Sequence, residues 1–90
     1  MLDEHVPLWQ RMIDCMQEKD LSGKTVLDYG CNRGLFFHLL NNQRPFERGV
    51  GVDVSEASIQ EAEKLKKDLP LEFGPIALLE QKENTFDLAF

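Results

Sequence analysis

The run Val26-Leu27-Asp28-Tyr29-Gly30-Cys31-Asn32-Arg33-Gly34 sets two glycines between a segment that favours extended backbone and one that favours a helix. Thr25-Val26-Leu27 is a short β-favouring run, whereas Leu35, Phe36, Leu39 and Leu40 recur at helical spacing and predict a helix ending near Asn41-Asn42. Between them Gly30 permits a tight turn, and Gly34 lets the helix start approach closely. Backbone N–H groups are then expected to face a polar ligand with no Cβ in the way. A lone G-x-x-x-G also serves ordinary turns, and it is the placement after a β-run and before an apolar helix that points to a ligand loop.

The flanking segments extend this unit into an alternating chain. Trp9, Met12, Ile13 and Met16 fall at i, i+3, i+4 and i+7 and predict an amphipathic helix over residues 6 to about 19, with Pro7 in its first turn. Gly49-Val50-Gly51-Val52-Asp53-Val54 is β-branched at alternate positions and predicts the second strand. Ser55 suits an N-cap and Glu56 the positive end of a third helix, lined by Ala62, Leu65 and Leu69 and stopped by Pro70. Leu71-Glu72-Phe73 and Phe86-Asp87-Leu88-Ala89-Phe90 predict a third and a fourth strand. The crossover segments are long enough for parallel pairing, and right-handed crossovers give the strand order 3-2-1-4. The expected fold is α/β, a partial Rossmann-like doubly wound parallel sheet with flanking helices. Ligands of such sheets bind at the carboxyl ends of the strands beside the switch point between the first and fourth.

Composition narrows the partners. The chain has 90 residues and a formal net charge of -6, which argues against a grip on nucleic-acid phosphates or anionic membranes. Lys64, Lys66 and Lys67 are interleaved with Glu61, Glu63 and Asp68 and read as a solvated helix face. Two cysteines, Cys15 and Cys31, form no CxxC pair, and no His spacing completes a metal site. Met1-Leu2-Asp3-Glu4-His5 lacks the pattern of a secretory leader and no apolar stretch approaches a membrane span, so the expected location is the cytoplasm. His5, His38 and Cys31 have no partner in sequence that would make any of them catalytic, and Trp9 reads as an anchor for the first helix.

Asp53 closes the second strand 19 residues beyond Gly34. A carboxylate at that strand end suits a ribose, because its two acceptor oxygens match two adjacent hydroxyl donors. With this residue in place, three segments together resemble the class I S-adenosylmethionine-dependent methyltransferases. Val26 to Gly34 is similar to the family's first motif, Gly51-Val52-Asp53-Val54-Ser55 to its second-strand motif, and Phe86-Asp87-Leu88-Ala89-Phe90 to its fourth-strand entry. The resemblance covers about residues 21–90. It implies one partial methyltransferase-like domain, with a leading helix over residues 1–20 and a cofactor-binding half over residues 21–90.

By position, the resemblance implies that Asp28, Tyr29, Gly30, Cys31, Asn32 and Gly34 surround the methionine part of S-adenosylmethionine. Asp53 would hold the ribose hydroxyls, and Val54 would pack beside the adenine. Asp87 would support the strand and the site. Pro75 stands where the family usually has an acid that contacts the adenine amino group, which would shift that contact to the backbone of Ile76. The portion that supplies a methyl-acceptor pocket in this family follows the fourth strand, so the chain is expected to be a piece of a longer protein or assembly, with the acceptor open. Its last strand would be an exposed edge, a template for self-association. Two other readings stay open: an NAD-binding segment of an oxidoreductase, against which stands the G-x-x-x-G spacing, and a non-catalytic interaction module.

Overall fold

The computed structural model describes residues 5–81 and 86–90. Four strands, β1 (Thr25–Tyr29), β2 (Arg48–Val52), β3 (Leu71–Gly74) and β4 (Leu88–Ala89), form one parallel sheet in the order β3-β2-β1-β4. This is the expected order and pairing, with the switch point between β1 and β4. β1 and β2 run in register from Thr25 opposite Arg48 to Tyr29 opposite Val52, so Asp28 lies beside Gly51 and both strands end at the same edge.

Three helices, α1 (Val6–Cys15), α2 (Leu35–Gln43) and α3 (Glu56–Leu65), accompany the sheet. Because side chains alternate along each strand, Val26 and Leu71 face the cluster of Ile13, Leu21, Phe36, Phe37, Leu40 and Phe46, while Leu27, Val50 and Val52 face the opposite way. That second face is covered by Phe86 and by a 3-10 helix, Ile76–Gln81, through Ile76, Leu78 and Leu79. No periodicity in the sequence announced this short element.

The remaining differences are local. α1 was expected to reach about residue 19 and stops at Cys15, with Met16 extended. Gln17-Glu18-Lys19-Asp20 offers no apolar face to bury, and Asp20 instead accepts from the Ser22 N–H at 2.9 Å in a turn. Met12, expected inward, is 36% exposed, while Ile13 is fully buried and Trp9 meets Phe36 edge-on at 5.9 Å. Phe37, absent from the predicted buried face of α2, is fully buried, whereas Leu35 and Leu39 are only partly so. Reciprocal amide hydrogen bonds of 2.8 and 2.6 Å between Gln10 and Gln43 hold α1 to α2.

α3 ends at Leu65 and not at Pro70. Lys67 takes the left-handed conformation, φ 51°, and the Leu69 N–H closes a turn on the Lys66 carbonyl at 3.0 Å. The residue before a proline is driven out of the helical region, so the reversal into β3 must begin before Leu69. Among the described residues no helix is long and apolar enough to cross a membrane.

Candidate functional site

The site lies where β1, β2 and β3 end, and its framework is the loop of residues 30–34. Three of those residues sit in left-handed backbone: Gly30 at φ 76°, Asn32 at 52° and Gly34 at 78°. Asn is the side-chain-bearing type that tolerates this region best after glycine. A Cβ on Gly34 would come within 2.7 Å of the Phe73 ring, so that glycine is required by contact as well as by φ. A Cβ on Gly30 would meet nothing within 4 Å, so Gly30 is required by its turn and faces open space.

The loop is stitched to the end of β2. The N–H groups of Gly30 and Cys31 both donate to the Val52 carbonyl, at 2.8 and 2.9 Å, and the Gly34 N–H donates to the Cys31 carbonyl at 2.9 Å. The Asn32 N–H donates to Asp53 Oδ2 at 2.9 Å, and the Ser55 N–H donates to Asp53 Oδ1 at 2.9 Å. These bonds correct the expectation that the loop turns its N–H groups to a ligand. Four of the loop N–H groups are already satisfied by a carbonyl or carboxylate of the protein, those of Gly30, Cys31, Asn32 and Gly34.

Asp53 therefore has a structural task that its position alone did not reveal, joining the glycine loop to the start of α3. Each of its oxygens keeps acceptor capacity for a further donor. Ser55 caps α3 as expected, its hydroxyl accepting from the Ser58 N–H at 3.2 Å, and the Ser58 hydroxyl in turn donates to Asn32 Oδ1 at 3.1 Å.

The electrostatics of this edge are negative. Asp28 is 9% exposed, and its carboxyl is pushed up from the ordinary 3.8 to about 7, first by burial and then by the charge of Asp53. Among the described residues no donor reaches it. Burial, followed by the charges of Asp28 and Asp53, pushes the Cys31 thiol up to about 12, which leaves it a packing residue with almost no thiolate near neutrality.

Beside the loop, the segment after β2, α3 and the end of β3 line an open cavity of about 490 Å³, formed in part by Asp53, Val54, Gly74 and Pro75. Val54 is 86% exposed and Tyr29 55% exposed, two large apolar surfaces left open at the same edge. Ile76 is not among the residues lining the cavity, and its side chain packs beneath the sheet with Val50 and Val52. Glu56, Ile59 and Gln60 also line it. Their i, i+3, i+4 spacing was present in the sequence, but only the capping value of this stretch was read from it.

Two other sequence candidates lie elsewhere. Asp87 accepts from the Thr25 N–H at 2.8 Å, fastening β4 to the start of β1, and so supports the sheet at the edge opposite the site. His38 lines a separate cavity of about 370 Å³ with Asn41, Asn42 and Lys67, and burial and the Lys67 charge hold its imidazole below its ordinary value.

Comparison with known proteins accords with this geometry. An S-adenosylmethionine-dependent methyltransferase from Mesorhizobium loti is similar in fold, with a TM-score of 0.67 and 21% identity, over 94% of this chain and 37% of that one. A plantazolicin methyltransferase solved with a triazolic desmethylPZN analogue and S-adenosylhomocysteine is 28% identical, with a TM-score of 0.54, over 64% of this chain and 22% of that one. A protein from Pyrococcus horikoshii OT3 is 30% identical, with a TM-score of 0.57, over 78% of this chain and 32% of that one. The chain thus spans between 22% and 37% of the length of these structures. A search of curated proteins gives no match. Residues 20–90 match the family described as a methyltransferase domain, and with the parallel 3-2-1-4 sheet this chain belongs to the class I S-adenosylmethionine-dependent methyltransferases.

Proposed function

We propose that residues 21–90 form the S-adenosylmethionine-binding half of a methyltransferase, with residues 1–20 as a leading segment that contributes α1, and that the complete protein transfers the methyl group to an acceptor still to be identified. One observation carries this reading: the loop N–H groups of Gly30, Cys31, Asn32 and Gly34 are bonded to the protein, and the side chains closing the edge are the carboxylates Asp28 and Asp53. A pyrophosphate would need free donors at that loop and would be repelled by the Asp53 carboxylate, and by Asp28 wherever that buried group is ionised, which argues against a dinucleotide. S-adenosylmethionine carries a sulfonium and an ammonium against a single carboxylate, a net positive charge with no phosphate, and so fits this negative edge.

In this reading Asp28, Tyr29, Gly30, Cys31, Asn32 and Gly34 surround the methionine portion. Asp53 accepts from the ribose hydroxyls while keeping its two backbone bonds, and Val54 packs beside the adenine. Pro75 lines the cavity and offers the base no N–H, and the next backbone donor along the chain is that of Ile76. The bound cofactor supplies an electrophilic methyl group for direct attack by the acceptor. The residues of this chain bind and orient it, since alignment of acceptor, methyl and sulfur is the main task a protein has in such a transfer.

Parallel calorimetric titrations with S-adenosylmethionine, S-adenosylhomocysteine and NAD test the reading. Saturable heat with the first two and none with NAD is expected. Heat with NAD alone would refute it.

A further inference from the structure

The cavity beside Asp53 has the make-up of a slot for a flat heterocycle: apolar walls from Val54, Ile59, Phe73 and Pro75, and a polar edge on one side. That polar edge belongs to α3. Glu56 and Gln60 lie one helical turn apart on a shared face, and both line the cavity. The other polar groups at hand cannot present a donor beside an acceptor. Asp53 only accepts, from two backbone N–H groups and, in the reading above, from the ribose, and Pro75 has no N–H at all. Among the described residues the amide of Gln60 has no hydrogen-bond partner.

We propose that Gln60 is the residue that reads the amino edge of the cofactor's purine base. Its Oε1 accepts from the exocyclic amino group and its Nε2 donates to a neighbouring ring nitrogen. A side-chain amide presents one acceptor and one donor side by side, the complement of the donor and acceptor that an aminopurine offers along one edge. The Glu56 carboxylate only accepts, so it can meet the amino group but not the ring nitrogen. The assignment rests on the S-adenosylmethionine reading and adds to it a specificity-determining residue on α3, in place of one on the loop after β3.

A cycle between residue and ligand isolates the contact. Wild-type protein, Gln60→Ala, Glu56→Ala and Asp53→Ala are titrated calorimetrically with S-adenosylhomocysteine and with its analogue in which the 6-amino group is replaced by hydrogen. Wild-type protein is expected to prefer the amino-bearing ligand by roughly 3- to 10-fold, the range of a neutral hydrogen bond. In Gln60→Ala that preference collapses to within about twofold by the same reasoning. In Glu56→Ala it persists, and Asp53→Ala weakens both ligands by the same factor. An undiminished preference in Gln60→Ala, no preference in wild-type protein, or a preference lost in Glu56→Ala instead would each overturn the assignment. If folded wild-type protein bound neither ligand, it is the cofactor reading itself that would fall.

Discussion

Replacing Asp28 by Asn is expected to raise the stability of the free protein above neutrality and to lower it slightly in acid. The Asp28 carboxyl has an ordinary value of 3.8 and stands at about 7 in the fold, so over that interval the folded state holds a proton that the unfolded chain has released. Stability contributed by the neutral acid is complete below the lower value and is lost as pH rises through the upper one. Roughly three pH units at about 1.4 kcal/mol each set a ceiling of about 4 kcal/mol on the loss above pH 7. Because Asp28 is 9% exposed, solvent screening reduces that ceiling only modestly. The Asn side chain removes the charge but adds an amide whose burial costs about 1–3 kcal/mol where it finds no partner. The net expectation is a gain of about 1–3 kcal/mol for Asp28→Asn at pH 8 and a loss of at most about 2 kcal/mol at pH 4.5, where ionisation of the unfolded chain has already cost the wild-type protein about 1 kcal/mol. Urea unfolding followed by circular dichroism, with wild-type protein and variant compared at half-unit steps from pH 4.5 to 8, measures the difference directly. Stability curves that run parallel across that range would falsify the reasoning, since a purely steric effect has no pH dependence.

Other consequences follow from the same edge of the sheet. Gly34→Ala places a Cβ within 2.7 Å of the Phe73 ring at φ 78° and is expected to cost about 2–5 kcal/mol, read as a fall in melting temperature. Gly30→Ala, at φ 76° with nothing within 4 Å, should cost only about 1–2 kcal/mol of stability, while its methyl group intrudes on the open face and weakens S-adenosylhomocysteine binding in calorimetry. Asp53→Ala removes the acceptors of the Asn32 and Ser55 N–H groups and should lose about 1–3 kcal/mol in urea unfolding, with Asp53→Asn retaining part of it. Titration of the native protein with a thiol-specific chromogenic disulfide at pH 8 should modify exposed Cys15 quickly and Cys31 only on unfolding, and equal rates for the two would refute the buried, charge-repelled thiol.

Much of the architecture could be read from residue order because local signals agreed with tertiary ones. The β-run before Gly30, the cap at Ser55 and the alternating valines of β2 each act within a few residues, and the parallel order follows from crossover handedness. What escaped depends on neighbours distant in sequence. Phe37 is fully buried because Gly49 on β2 leaves room for its ring, and a Cβ on Gly49 would stand 2.9 Å from it. α1 stops at Cys15 because nothing covers the polar residues after it, and the 3-10 helix forms where three apolar side chains are needed over Val50 and Val52. In the site, residue types and spacing singled out Asp28, the glycine loop and Asp53, but not the direction of the loop N–H groups. That direction is set by the Val52 carbonyl and the Asp53 carboxylate reaching across from β2.

The Phe73 ring ties the glycine loop, β2 and β3 to one shared volume. It fills the space left by two missing methyl groups at once, with a Cβ on Gly34 falling 2.7 Å and one on Gly51 2.8 Å from its carbons, and its other side forms part of the wall of the 490 Å³ cavity. Volume added at either glycine must therefore be given up at residue 73 or taken from the cavity. These three positions should drift together over evolutionary time, and a homologue with alanine at the position of Gly34 or Gly51 should carry a smaller side chain at that of Phe73. An engineer who wants a wider cavity should begin with the ring, because trimming it enlarges the cavity and removes the steric demand for glycine at residue 34, where the φ of 78° still favours glycine.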